Sequence, residues 1–293
     1  MTYCIAMRLD SGMVFLSDSR TNAGVDQIST FRKMTVFEHR GERLMVLMSA
    51  GNLAIAQAVK QIVCERTGPG ERSVWSVESI FEAVRVVGDA IREVHDRDAH
   101  ALKEAGIDFN CSFLFGGQIR GGPMRLFQLY AAGNFIEATP ENLYFQIGEA
   151  KYGKPIVDRI LRTHTPLGEA AKCALISMDS TLRSNISVGL PLDLLVYEAG
   201  ALAVTKFVQI DAENQYMAMI RNTWGKRLRQ VFDGIPDPAW LDAPDSMAPR
   251  LETDHNDPVR APLPPSLATA ESPRAQPVQL VAQTPGAVQG APR

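Results

Sequence analysis

Large apolar side chains recur at every second position from the first residues of the chain. Tyr3, Ile5, Met7 and Leu9 interleave with Cys4, Ala6 and Arg8, the period of a β-strand. Asp10-Ser11-Gly12 reads as a turn and Met13-Val14-Phe15-Leu16-Ser17-Asp18 as the returning strand. In an antiparallel hairpin turning there, paired positions have numbers summing to roughly 20 to 24, so Asp18 falls within a pair or two of Thr2. A second hairpin joins the runs 33–38 and 43–49 through His39-Arg40-Gly41-Glu42 and sets Lys33 opposite Met48 or Ser49. Lys33 then lies beside Ala50-Gly51-Asn52, which opens a stretch whose apolar positions Leu53, Ala54, Ala58, Ile62 and Val63 follow helix spacing. With the two hairpins side by side in one sheet, Thr2, Asp18, Lys33 and the Gly51 turn converge.

Further along, the pattern predicts helices over 51–66 and 77–104, separated by the break Thr67-Gly68-Pro69-Gly70. In the second, Val77, Ile80, Phe81, Val84, Val87, Ile91 and Val94 lie on one stripe, opposite Glu78, Glu82, Arg85, Asp89 and Arg92. Strands follow at 109–119 and 124–131, then a short pair around Pro140, helices at 151–163 and 166–182, strands at 193–199 and 202–210, and a last helix at 213–230. This is the order of two antiparallel sheets packed face to face between helix layers, an α+β architecture. From Gly234 the composition changes: twelve of the eighteen prolines fall in the last sixty residues. Such a segment buries too little apolar surface to offset its ordering entropy, so the expected organisation is one domain over 2–233 and a disordered Pro-rich tail over 234–293, ordered only near Trp240-Leu241.

Composition narrows the function classes. Of 293 residues, 45% are apolar, and 30 basic against 33 acidic residues leave a net charge of -3. With no basic run of five or six residues, nothing points to nucleic acid, and Arg227-Leu228-Arg229 reads as a solvated helix face. Cys4, Cys64, Cys111 and Cys173 are far apart, without CxxC spacing and set among apolar residues, which predicts buried reduced thiols and no metal site. Arg8 and Asp10 interrupt the first apolar stretch, so a secretory leader is not expected, and no segment approaches the ~20 apolar residues of a membrane span. The expectation is a cytoplasmic protein without a membrane partner.

The second residue carries the candidate chemistry. Removal of Met1, which a small second residue permits, exposes a threonine whose hydroxyl and α-amine sit on adjacent carbons. An α-amine titrates near ~7.7 to 8.0, against ~10.4 for a lysine, so part of it is neutral at cell pH. It can accept the hydroxyl proton directly or through one water and create a nucleophile. A glycine turn opening a helix, here at Gly51, offers backbone N–H donors for a developing oxyanion.

An N-terminal Thr, the segment Ser17-Asp18-Ser19-Arg20, Lys33, and a Ser49-Ala50-Gly51 loop opening a helix resemble a proteasome-type subunit of the N-terminal nucleophile hydrolases. More closely, Ser17–Asp26 with Ser29-Thr30-Phe31-Arg32-Lys33-Met34, and the later run Tyr144–Pro155, resemble the bacterial proteasome-like group called Anbu, the ancestral β-subunit. The resemblance covers about residues 2 to 230 and implies a four-layer αββα sandwich. It implies Thr2 as nucleophile with its freed amine as proton shuttle, Lys33 lowering the pKa of both groups, Asp18 balancing Lys33, and Gly51 supplying an oxyanion N–H. It also implies no metal or organic cofactor, self-association into a ring or ring-like oligomer, and a peptide or protein substrate; an ATPase partner is left open.

Two positions depart from the family pattern. Gly148-Glu149-Ala150 stands where proteasome β-subunits carry Gly-Ser-Gly, and a carboxylate at Glu149 would hold the α-amine protonated unless it points elsewhere. In Arg183-Ser184-Asn185-Ile186-Ser187, the pattern has an aspartate at Ser184 and keeps the serine at Ser187. Both changes touch the support of the nucleophile. Beside a general threonine peptidase they admit a narrow small-peptide amidase or acyltransferase, and a catalytically silent ring scaffold.

Overall fold

The computed structural model describes residues 2–23, 27–68 and 70–241. Strands β1 (Tyr3–Leu9) and β2 (Gly12–Asp18) form the first hairpin in the expected register, from Cys4 opposite Ser17 to Leu9 opposite Gly12. The short strands β3 (Arg20–Ala23) and β4 (Gln27–Thr30) pair with each other, in a stretch to which the sequence pattern assigned no element. Strands β5 (Met34–His39) and β6 (Arg43–Gly51) form the next hairpin, followed by helices α1 (Leu53–Glu65) and α2 (Ile80–Glu104). Then come β7 (Cys111–Ile119), β8 (Arg125–Leu129), β9 (Phe135–Glu137) and β10 (Tyr144–Gly148). Helices α3 (Lys154–Ile160) and α4 (Leu167–Ser184), strands β11 (Leu192–Glu198) and β12 (Lys206–Ile210), and helix α5 (Gln215–Asp233) complete the fold.

One antiparallel sheet has the order β10-β1-β2-β11-β12, the other β5-β6-β7-β8-β9. Three apolar layers hold them, each dictated by strand alternation. Tyr3, Ile5, Met7 and Leu9 pack outward against α3, α4 and α5, while Cys4 and Ala6 face the other sheet. Between the sheets, Met13, Phe15, Leu195 and Tyr197 meet Leu44, Val46, Met48 and Leu114. Outside the second sheet, Met45, Leu47, Phe113 and Phe115 meet the apolar stripes of α1 and α2. The layers therefore run helices, sheet, sheet, helices, the αββα sandwich.

The two hairpins do not share a sheet: β1–β2 and β5–β6 lie in opposite sheets and approach across the middle apolar layer. A sequence reads as local pairing, whereas sheet membership is set by which faces bury each other. The pair around Pro140 splits likewise, β9 joining β8 and β10 joining β1. Helix α2 starts three residues late because the Ser79 side chain caps it, accepting from the Glu82 amide. Helix α3 begins only at Lys154, with Pro155 in its first turn. Three cysteines are buried as free thiols, but Cys64 on α1 is half-buried, because its neighbours on one side of the helix face solvent. Burial pushes Cys111 up to about 12 and Cys173 to about 11.

No helix among the described residues is long and apolar enough to cross a membrane. A short 3-10 turn, Ala239–Leu241, belongs to a second unit beginning at Asp237. The rest of the tail expected to be disordered, and the initiator Met1, lie outside the described residues. Phe15 is fully buried between the sheets; Phe15→Ala is expected to cost about 3–5 kcal/mol of unfolding free energy, read as a lowered urea midpoint at unchanged slope.

Candidate active site

At the end of β2, Asp18 is fully buried and meets a lysine from the opposite sheet. Lys33, immediately before β5, donates from Nζ to Asp18 Oδ1 at 2.7 Å and to the Arg20 carbonyl at 2.7 Å. Its own carbonyl accepts from the Ser49 amide at 3.2 Å, which fixes the lysine opposite Ser49 as the hairpin arithmetic requires. Asp18 also accepts from the amides of Tyr3, at 3.0 Å on Oδ1, and Gly189, at 3.4 Å on Oδ2. Burial raises the carboxyl pKa, opposed by the Lys33 charge and by the two amides.

Thr2 immediately precedes β1 and is buried. Its carbonyl accepts from the Glu149 amide at 2.7 Å. Next to it, Gly148 has φ +81°, and a Cβ there would stand 1.9 Å from the Thr2 carbonyl oxygen, so only glycine lets β10 close on the start of β1. The following residue is anchored too: the buried Tyr3 hydroxyl lies 2.6 Å from Ser177 Oγ on α4 and accepts from the Gln146 side chain.

Thr2, Thr21, Lys33, Ser49, Gly51 and Leu53 line one cavity of about 220 Å³. Gly51 has φ +105°, and a Cβ there would lie 2.5 Å from the Asn110 carbonyl oxygen. The amides that follow Gly51 at the helix start are already taken up. Asn52 Oδ1 accepts from Ala54 at 3.0 Å and Ile55 at 3.5 Å, and the Asn52 amide donates to Asn110 at 2.8 Å. Antiparallel alternation turns the Gly51 amide to the side of the Ser49 amide, away from β7 and towards the edge where β5 has not yet begun.

Glu149, Ser184 and Ser187 stand further out. Glu149 meets Thr2 through its backbone amide, while its carboxylate lies 3.8 Å from Lys151 Nζ. Ser184 ends α4 exposed, and Ser187, half-buried in the next turn, donates its amide to Asn185 Oδ1 at 2.9 Å. Neither serine lines the cavity. That turn reaches the site through Gly189 instead. Arg20, Gly189 and Tyr3 contribute backbone atoms, for which no residue-type signal exists. Thr21 carried a signal that went unread: a hydroxyl three residues from Asp18, now a buried oxygen without a hydrogen-bond partner among the described residues. Nor do the described residues contain a group of three His, Cys, Asp or Glu side chains able to hold a metal.

Two antiparallel sheets between helix layers, with a threonine at the head of the first strand beside a buried lysine–aspartate pair, define a proteasome-like protein of the N-terminal nucleophile fold. No protein-family model matches the chain, and no curated protein matches it. Solved structures do. Anbu (ancestral beta-subunit) from Yersinia bercovieri is 51% identical, covering 80% of this chain and 99% of its own, with a TM-score of 0.76. Anbu from Hyphomicrobium sp. strain MC1 is 47% identical over 80% of this chain and 98% of its own, TM-score 0.74. A structure titled as the helical assembly of the Anbu complex from Pseudomonas aeruginosa is 45% identical over 82% and 99%, TM-score 0.77. The chain belongs to the Anbu group.

Lys33→Met leaves the Asp18 carboxylate buried without its counter-charge, at an expected cost of about 3–5 kcal/mol near pH 8. In that variant the folded-state carboxyl pKa is raised further above its unfolded value. The fold then binds the proton more readily than the unfolded chain, so the deficit relative to the parent protein should shrink as pH falls through that pKa. Urea titrations of both proteins at pH 8 and pH 5.5 measure it; a pH-independent deficit contradicts the electrostatic account.

Proposed function

We propose that, once Met1 is removed, the chain is a proteasome-type threonine hydrolase acting on peptide or amide bonds. The observation that carries this reading is the convergence of Thr2, Lys33 and Gly51 on one cavity, with Asp18 buried behind the lysine. The freed α-amine accepts the Thr2 hydroxyl proton as Oγ attacks the substrate carbonyl carbon. Lys33 keeps a positive charge beside that amine and hydroxyl, which favours their deprotonated forms. Asp18 holds the lysine in place. The Gly51 amide donates to the oxyanion, an interaction worth on the order of 10²–10³ in rate when such a donor is lost elsewhere. Collapse of the tetrahedral intermediate breaks the C–N bond, the leaving amine takes the proton from the α-ammonium, and an acyl ester remains on Oγ. Water, deprotonated by the same amine, then releases the acid and regenerates Thr2. The Glu149 carboxylate lies near Lys151, an arrangement compatible with a neutral α-amine.

Self-association belongs to the same reading. The Pseudomonas aeruginosa relative is described as a helical assembly. Here the end of α5 and the residues just after it expose Leu228, Val231, Phe232 and Ile235, with Val231 and Phe232 each 65% accessible. Apolar side chains at that helical spacing suit burial against another copy.

A threonine-directed epoxyketone or β-lactone should add one adduct per chain to Met1-free protein, seen by intact mass, and none to Thr2→Ala. Absence of an adduct on verified Met1-free protein favours the silent scaffold. Phe232→Glu should shift the oligomer to smaller species in sedimentation velocity without unfolding it, since the side chain is exposed.

A further inference from the structure

A second cavity, of about 180 Å³, continues from the one that holds Thr2 and shares Lys33, Ser49, Leu53 and Ala56 with it. It lies under α1, against the face of the second sheet that carries Thr35, Leu47 and Phe113. Leu53, Ala56, Gln57 and Lys60 are one turn apart along one helix face and roof it. A side chain flanking a carbonyl held at Thr2 has this space beside it.

The walls have one sign of charge. Arg32, Lys33 and Lys60 line the cavity, and among the described residues no Asp or Glu lines it or the cavity of Thr2. Lys33 is paired with Asp18, which lies behind it. Arg32 contacts Asp193, also outside the lining, through Nε at 3.2 Å, and rests 5.6 Å from the Phe207 ring, yet its side chain stays 57% exposed. Lys60 has no acidic side chain within ion-pair distance among the described residues. Phe31, Leu47, Leu53 and Phe113 supply apolar contact for methylene groups, while Gln57, Thr35 and Ser49 offer hydrogen bonds. A substrate cation would enter against two unneutralised or half-exposed positive charges. A carboxylate on a short aliphatic stem meets complementary charge and apolar walls together.

We propose that this pocket selects an acidic side chain, aspartate or glutamate, in the residue whose carbonyl faces Thr2, with Lys60 as the specificity-determining residue and Arg32 as its buttressed partner. The inference rests on the hydrolase reading for the placement of that carbonyl. Its test does not rest on turnover.

Four N-acylated peptide amides, differing only in Glu, Gln, Leu or Lys before the scissile bond, are titrated against Thr2→Ala protein, which cannot acylate. Glu is expected to bind about fivefold to tenfold tighter than Gln, and Lys the weakest, with the Glu advantage falling as salt rises. Lys60 is exposed, so Lys60→Gln should flatten the Glu preference and Lys60→Glu should reverse the order of Glu and Lys, both without loss of thermal stability. Equal binding of Glu and Gln, no binding of any of the four, or a preference indifferent to both Lys60 variants overturns the proposal. The same peptides are then offered to the Met1-free protein with Thr2 intact. A Glu preference in binding with no acylation of Thr2 sinks the hydrolase reading and leaves the pocket's selectivity standing. Cleavage of the Leu peptide without any Glu advantage does the opposite.

Discussion

A carboxylate and an ammonium buried against each other, one supplied by each sheet, set the terms for the rest of this structure. Removing two charges from water costs more than their attraction returns unless the geometry is good and the remaining lone pairs are filled. Here the Asp18 oxygens take up the Lys33 ammonium and the amides of Tyr3 and Gly189, and the lysine is also held by the Arg20 carbonyl. Those partners come from β1, from the turn after α4, from the β2–β3 junction and from the strand edge before β5. A slip of one residue in either hairpin would send Asp18 or Lys33 to the wrong face. The apolar layer between the sheets therefore does more than stabilise: it brings two registers, fixed separately, to one point.

Backbone proximity is the second constraint. Gly148 and Gly51 both take positive φ, and at both a Cβ would collide with a carbonyl oxygen, that of Thr2 or of Asn110. At the first, β10 closes on the head of β1; at the second, β6 bends out of its pairing with β7 before α1 begins. Asn52 then satisfies its own helix start, so α1 presents side chains, not a row of open amides, to the cavities beneath it.

Much of this was legible in the sequence because short apolar runs joined by tight turns pair in a register that the turn fixes. The turns at 10–12 and 39–42 give the pairing sums, the nearness of Asp18 to Thr2, and Lys33 opposite Ser49. Sheet membership was not legible, since β1–β2 and β5–β6 look alike as local patterns and differ only in what they pack against. The polar run of β3 has no alternation to read, and the short α3 reflects a glycine and a proline at its start. Among the site residues, those acting through side chains could be found from their types. Gly189 and Arg20 act through main-chain atoms, and Glu149 meets Thr2 through an amide that every residue type except proline possesses. The position of Glu149 was apparent from sequence, but the direction of its carboxylate depends on Lys151.

The distribution of thiols has a practical side. Three cysteines are sealed inside the layers, where their thiolates are disfavoured, and the fourth sits on α1 one turn beyond Lys60 with part of its surface open. Reaction with a soluble reagent requires both access and a thiolate; burial pushes the Cys64 thiol up as well, but it is the one of the four that is partly open, so a fluorophore or spin label added under native conditions reacts there first, and faster as pH rises. The wild-type molecule thus carries a built-in attachment point on the helix that roofs the second cavity, and spectroscopy of that helix needs no engineered cysteine.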